Sequence, residues 1–293
     1  GMPLWTRTLA GGVNLHVQSA GVFGDGGVLL AGSLGEYQPG FLVALDAKGA
    51  VRWSRVTDRE WQQNISSEEI EALAVSGAHA LAVGQVALPS GERHGMAMLV
   101  PANGEPGWRV LIDDTTRIHA ALADGDGWLV AGESHTPYQA AWLARLDAQG
   151  QVQWRHTYGQ DNGGAARTLA RLPGGELLIA GQAPESQQAW LRRADSSGTP
   201  IAEQTVDLRI QGSPVIGSLR GMSVTTDGDF LFAGETDSAD GWLARLAPDA
   251  TPRWVKVFGD EEEDAFNAVL ARPDGVVAAG RSTHPERIRA HSL

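Results

Sequence analysis

Residues Trp142–Gly181 read WLARLDAQGQVQWRHTYGQDNGGAARTLARLPGGELLIAG, and variants of this sentence are written six times along the chain. An apolar strand is followed by an Asp-x-x-Gly turn and a strand carrying Trp154. After a loop come a third strand, a Gly-Gly turn, and a fourth strand ending in Ala180-Gly181. The closing glycine keeps time at Gly32, Gly84, Gly132, Gly181, Gly234 and Gly280. A tryptophan column runs Trp53, Trp108, Trp154 and Trp254, with Ala202 in the fourth copy. A third column opens the strands at Phe41, Met96, Trp142, Trp190 and Trp242, and the sixth copy, from Arg287, is the weakest.

Each copy holds four short segments rich in Val, Leu and aromatics, bounded by Gly, Asp and Pro, which is the pattern of strands and not of helices. Turns such as Gly24-Asp25-Gly26-Gly27 and Asp124-Gly125-Asp126-Gly127 suit tight hairpins, because Gly and Asp tolerate positive φ. Four-stranded antiparallel units repeated at this period predict an all-β fold, a β-propeller. The sixth copy lacks its tryptophan strand, while the N-terminus begins with an orphan one, Leu4-Trp5-Thr6-Arg7-Thr8. Trp5 stands as far ahead of Gly32 as Trp154 stands ahead of Gly181. The expectation is a single-domain, six-bladed propeller, with blades near 14–58, 69–114, 117–160, 165–208, 217–260 and 263–293, the last closed by residues 1–10. Such closure leaves no bare sheet edge.

The string W-x-x-x-[YF]-G, a polar loop, an apolar strand, D-G-x-[IV]-[LV]-A-G and then D-x-x-G resembles the bacterial β-propeller-repeat proteins, of quinoprotein or YVTN-like appearance. The resemblance is best at Trp154–Gly181 and Trp254–Gly280 and runs over essentially the whole chain. It implies fold rather than chemistry: such proteins look like binding or surface scaffolds.

A net charge of −12 excludes the basic footprint that nucleic acids and anionic membranes demand. With no cysteine there is neither a disulfide nor a thiolate metal site. The first residues lack the basic and apolar regions of a signal peptide, so the cytoplasm is the default expectation, with export the alternative if a leader has been removed; a monomer is expected.

The connections Thr57–Ser67, Gln85–Gly95, Glu133–Gln139, Gln204–Ser218, Glu235–Asp240 and Gly259–Asp264 are the longer, irregular ones, and they share one end of the repeat. Function concentrates in such loops on a rigid scaffold. Counting back a constant number of residues from the closing glycine gives an inner column of Ser19, Glu71, His119, Thr168, Gly221 and Asn267. The residue after that glycine is Ser33, Gln85, Glu133, Gln182, Glu235 or Arg281. Two such columns near an axis place Glu71, His119, Glu133, Glu235 and Arg281 as candidate ligand-binding residues. The plain alternative is that strand ends emerging into water are polar anyway.

Trp61 is the one tryptophan in a loop, flanked by Glu60, Gln62 and Gln63. It is either a stacking residue for a ligand on the rim or a cover over blade two. The run Asp260–Asp264 lacks the alternating spacing and turn glycine of a calcium loop, and His94, His135 and His284 have no metal-ligand spacing. No nucleophile elbow, zinc helix, phosphate loop or dinucleotide fingerprint is present. The reading is therefore a non-catalytic scaffold binding a small polar ligand or a protein partner on the long-loop face, with no cofactor and no metal. The alternative is a hydrolase or lyase with a divalent cation at the channel mouth.

Overall fold

The computed structural model describes residues 15–35, 39–57, 64–135, 139–158, 164–183, 189–210, 213–215, 217–259, 263–272 and 275–282. Two compact units divide the chain, residues 1–157 and 158–293. The first holds three four-stranded antiparallel blades. Blade one is β1 (Leu15–Val22), β2 (Val28–Leu34), β3 (Gly40–Leu45) and β4 (Val51–Val56). Blade two is β5 (Ser67–Ser76), β6 (His79–Ala87), β7 (Arg93–Pro101) and β8 (Arg109–Ile112). Blade three is β9 (Arg117–Asp124), β10 (Gly127–Ser134), β11 (Ala140–Leu146) and β12 (Val152–Tyr158).

The second unit holds blade four, β13 (Ala165–Arg171), β14 (Leu177–Gln182), β15 (Ala189–Ala194) and β16 (Pro200–Val206), followed by a small ribbon of β17 (Arg209–Ile210) and β18 (Ser213–Pro214). Blade five is β19 (Gly217–Val224), β20 (Phe230–Thr236), β21 (Gly241–Leu246) and β22 (Pro252–Phe258). The sixth copy appears only as the hairpin of β23 (Asp264–Arg272) and β24 (Gly275–Ser282). The described residues thus form five complete blades rather than six. Residues 1–10 and the strand from Arg287, which the sequence reading uses to complete the sixth, lie outside the described residues. Among the described residues no helix is long and apolar enough to cross a membrane.

The core lies between blades, not within them. On β6, Ala80 and Ala82 pack with Leu29, Leu42, Met96 and Met98 toward blade one. Their alternates Leu81 and Val83 pack with Ala97, Ile118, Trp128 and Trp142 toward blade three. A strand whose two faces are both buried has no polar alternate. That is why second and third strands read as unbroken runs such as ALAV and FLVAL.

The tryptophan column latches one blade to the next. The Trp53 indole N–H donates to the Ala102 carbonyl at 2.9 Å, and Trp108 to Ala148 at 2.7 Å. Both acceptors sit in the turn after the neighbour's third strand. Those turns contain Gly104 and Gly150 at φ +81°. A Cβ on Gly150 would stand 2.7 Å from the Trp108 ring. The glycine is required twice, for its left-handed backbone and for the indole lying on it. In blade five the same turn position is Ala250, at φ 64°, and the preceding blade carries Ala202 in place of the tryptophan. Elsewhere the turn's aspartate fixes the loop: Asp147 Oδ1 accepts the amides of Gln149 and Gln151, both at 2.9 Å.

Candidate functional site

Every innermost strand carries a β-bulge one step before its middle. It falls at Gln18, Glu71 and His119 in the first unit, and at Arg167, Arg220 and Asn267 in the second. The closing glycine of the repeat lies opposite the bulge. A Cβ on Gly84 would run into the Glu69 carbonyl oxygen, on Gly132 into that of Arg117, and on Gly234 into that of Ser218. The Ala-Gly clock therefore records a backbone contact. The bulge frees one polar side chain per blade from the strand's inside–outside alternation, at the long-loop end.

This corrects the inner column at three positions. Blades one, four and five join their first two strands through five residues, whereas blades two and three and the sixth-copy hairpin use two. The bulge residue then lies one place further ahead of the glycine, so Gln18, Arg167 and Arg220 replace Ser19, Thr168 and Gly221. Ser19 instead accepts the Leu73 amide at 3.1 Å, a strut to blade two. Thr168 is buried. At Gly221, a Cβ would meet the backbone of Asn267 and Ala268 at 3.0–3.1 Å.

In the first unit Glu71 and His119 come together: His119 Nδ1 lies 2.6 Å from Glu71 Oε2. The other Glu71 oxygen takes the Arg117 Nε–H. Arg117 also donates to Glu69 at 2.6 Å, and Gln85 donates to the same Glu69 oxygen at 2.8 Å. Beyond the imidazole, Nε2 of His119 faces Glu133 at 3.9 Å. Gln139 donates to Glu133 at 3.1 Å, and His135 Nε2 stands 3.9 Å from its second oxygen. The His119 side chain is 4% exposed and that of Glu133 12%, so the centre of the array is buried, while His135 at its rim is 53% exposed. Burial alone would raise the Glu71 pKa, but the adjoining His119 and Arg117 outweigh it and hold the carboxyl below its ordinary value. Burial likewise works against the Arg117 charge, and Glu71 and Glu69 overcome it, holding the guanidinium above its usual pKa.

The strands account for this meeting. Glu69-Ile70-Glu71 on β5 lies beside Arg117-Ile118-His119 on β9. The two isoleucines are fully buried, and the bulges at Glu71 and His119 break the alternation, so that acid meets base across the blade boundary. Glu69, Gln85, Arg117 and Gln139 were not singled out from sequence. The complementary E-x-E and R-x-H spacing is the signal that finds two of them.

In the second unit Arg220 is bonded to Glu235, to Asn267 at 3.2 Å and to Ser218 at 3.1 Å. Arg281 reaches the other Glu235 oxygen at 3.2 Å. Glu235 and Arg281 are thus partners of one another within the second unit, with Arg220 on the other Glu235 oxygen. Arg281 is 52% exposed. Trp61 and His284 lie outside the described residues, as do 260–262 of the acidic run. His94 is buried in blade two. Among the described residues no group of three or more His, Cys, Asp or Glu is arranged to hold a metal ion.

The chain is similar in structure to the WD40 domain of Neurospora crassa Pan2, with a TM-score of 0.59 and 10% identity over 90% of this chain and 72% of that one. It is also similar to the quinohemoprotein alcohol dehydrogenase of Comamonas testosteroni, with a TM-score of 0.52 and 14% identity over 86% of this chain and 55% of the other. At such identities the likeness speaks for the fold alone. The class it defines, with the blades described above, is a β-propeller built of four-stranded antiparallel blades. No protein-family model and no curated protein sequence matches the chain.

Proposed function

We propose that the protein is a binding scaffold whose long-loop face holds a small polar ligand at the Glu71–His119–Glu133 array, without catalysis. One observation carries the reading: bulge residues of two adjacent blades form a part-buried 2.6 Å bond, with a second carboxylate 3.9 Å beyond the imidazole. Burying charged groups is costly unless they are paired and hydrogen-bonded. A hydrophobic core would be the cheaper way to join two blades, so the array favours a role in recognition. A protein partner on the same face is the broader form of the proposal. The test is a thermal-shift and calorimetric screen of sugars, amino acids, polyamines and dicarboxylates, repeated on Glu133→Gln. Binding that weakens at least about tenfold in the variant supports the assignment; binding that ignores Glu133 refutes it.

The second reading, a hydrolase or lyase, is favoured by one feature. A carboxylate bonded to Nδ1 orients an imidazole as a general base would need. Turnover of ester, glycoside or uronide substrates that disappears in Glu71→Gln and His119→Ala would promote it.

We also propose that residues 1–10 complete a sixth blade in a single closed domain. The in-register Trp5 supports this, as do Leu270 and Val277, exposed on the β23–β24 hairpin. Deleting residues 1–10 then leads to aggregation or loss of cooperative unfolding. A monomeric, truncated protein with an unchanged melting profile contradicts it.

A further inference from the structure

His94 lies one residue into β7, between two connections of the long-loop end. The β6–β7 turn is set by Gly91, at φ +86°, whose amide bonds Leu88, while the Leu88 amide bonds the Glu92 carbonyl at 2.8 Å. This brings Glu92 Oε1 to 3.4 Å from His94 Nε2. On the other side the β8–β9 connection, residues 113–116, brings Asp113 Oδ1 to 3.6 Å from His94 Nδ1. The ring is 10% exposed, whereas Glu92 and Asp113 are 64% and 94% exposed. Nδ1 has no hydrogen-bond partner. A buried imidazole nitrogen left unsatisfied is costly, and here a carboxylate stands just outside bonding reach.

We propose that His94 is a pH-sensitive clasp joining the two connections. Neutral imidazole carries one N–H and can serve one carboxylate. Imidazolium carries two and draws in Glu92 and Asp113 together. Of the other charged groups, Asp114 is held by Arg155 at 2.7 Å, Arg93 is exposed beside His94 on the strand, and the buried Glu68 of β5 accepts the Thr57 hydroxyl at 2.8 Å. The clasp therefore tightens toward acid and loosens toward neutrality.

The second connection leads on to the array. The Gly95 amide donates to the Thr115 carbonyl at 2.7 Å. The Thr115 hydroxyl donates to the Glu133 carbonyl at 2.6 Å, and the Thr116 amide to the same oxygen at 3.0 Å. Arg117, which grips Glu69 and Glu71, follows directly. Closing the clasp steadies the segment behind both Glu133 and Arg117. That link rests on the ligand reading above; the clasp itself does not.

Hydrogen exchange at the Gly95 amide, corrected for intrinsic rate, tests the clasp without any ligand. Protection at pH 5.5 is expected to exceed that at pH 7.5 by about threefold or more, the scale of a partly exposed ion pair. His94→Gln abolishes the difference, and Asp113→Asn, at an exposed position that folding does not need, reduces it by about half. Equal protection at the two pH values in the native protein overturns the proposal, as does a pH difference that survives Asp113→Asn and Glu92→Gln combined.

Discussion

Two glycine columns hold the residue-scale logic, and each has its own penalty. Gly132 admits no side chain because the Arg117 carbonyl oxygen, two residues before the bulge, would clash with its Cβ. Gly132→Ala is expected to lower stability by at least about 2 kcal/mol in urea unfolding, as overpacking does. A variant with the native midpoint contradicts the bulge assignment. In the turn column the signs are opposed. Gly150→Ala forces a Cβ onto the Trp108 ring at φ +81° and destabilises, whereas Ala250→Gly relieves a left-handed alanine at φ 64° and gains about 1 kcal/mol. Loss of stability in Ala250→Gly would mean that the methyl group, packed against the core shared by blades four and five, outweighs the backbone strain.

Acid sensitivity also belongs to single residues. The Glu71 pKa in the folded chain lies below its ordinary value. Its contribution to stability is present above the unfolded-state value near pH 4.5 and is lost as pH falls through the lowered folded value. Glu71→Gln should therefore flatten the acid limb of the stability–pH curve below about pH 5. An unchanged acid limb would show that the Glu71 charge is not held by His119 and Arg117.

At the scale of elements, the blade is joined to its neighbour by an apolar wedge, an indole latch and, between blades two and three, a polar array. Trp108→Phe keeps the ring on Gly150 but removes the bond to Ala148, and costs about 1 kcal/mol. Its effect should match that of Trp53→Phe, and a cost confined to one of the two would show that the latches are not equivalent. The strands were legible from sequence because burial on both faces leaves apolar runs, and the turns because Asp and Gly have few other uses at such spacing. The bulge was not legible. A bulge adds one residue to one strand, and a change in hairpin length imitates that insertion, so the count from the closing glycine slipped at Ser19, Thr168 and Gly221. Glu71 and His119 were found because their two hairpins share one length.

At the scale of the whole molecule, the fold class follows from the repeat, and the site does not. Polar residues at strand ends have the same sequence appearance whether they meet water or one another. Only the geometry shows that Glu71, His119 and Glu133 converge in the first unit, and that Glu235 is held by Arg220 and Arg281 in the second. The central claim is that the converging set recognises a ligand. It is tested most directly by following the His119 ring resonances by NMR while the polar panel is titrated into the native protein and into Glu133→Gln. The account predicts saturable shifts at His119 with at least one ligand class, weakened in the variant. His119 resonances indifferent to every compound, while the protein remains folded, would contradict it.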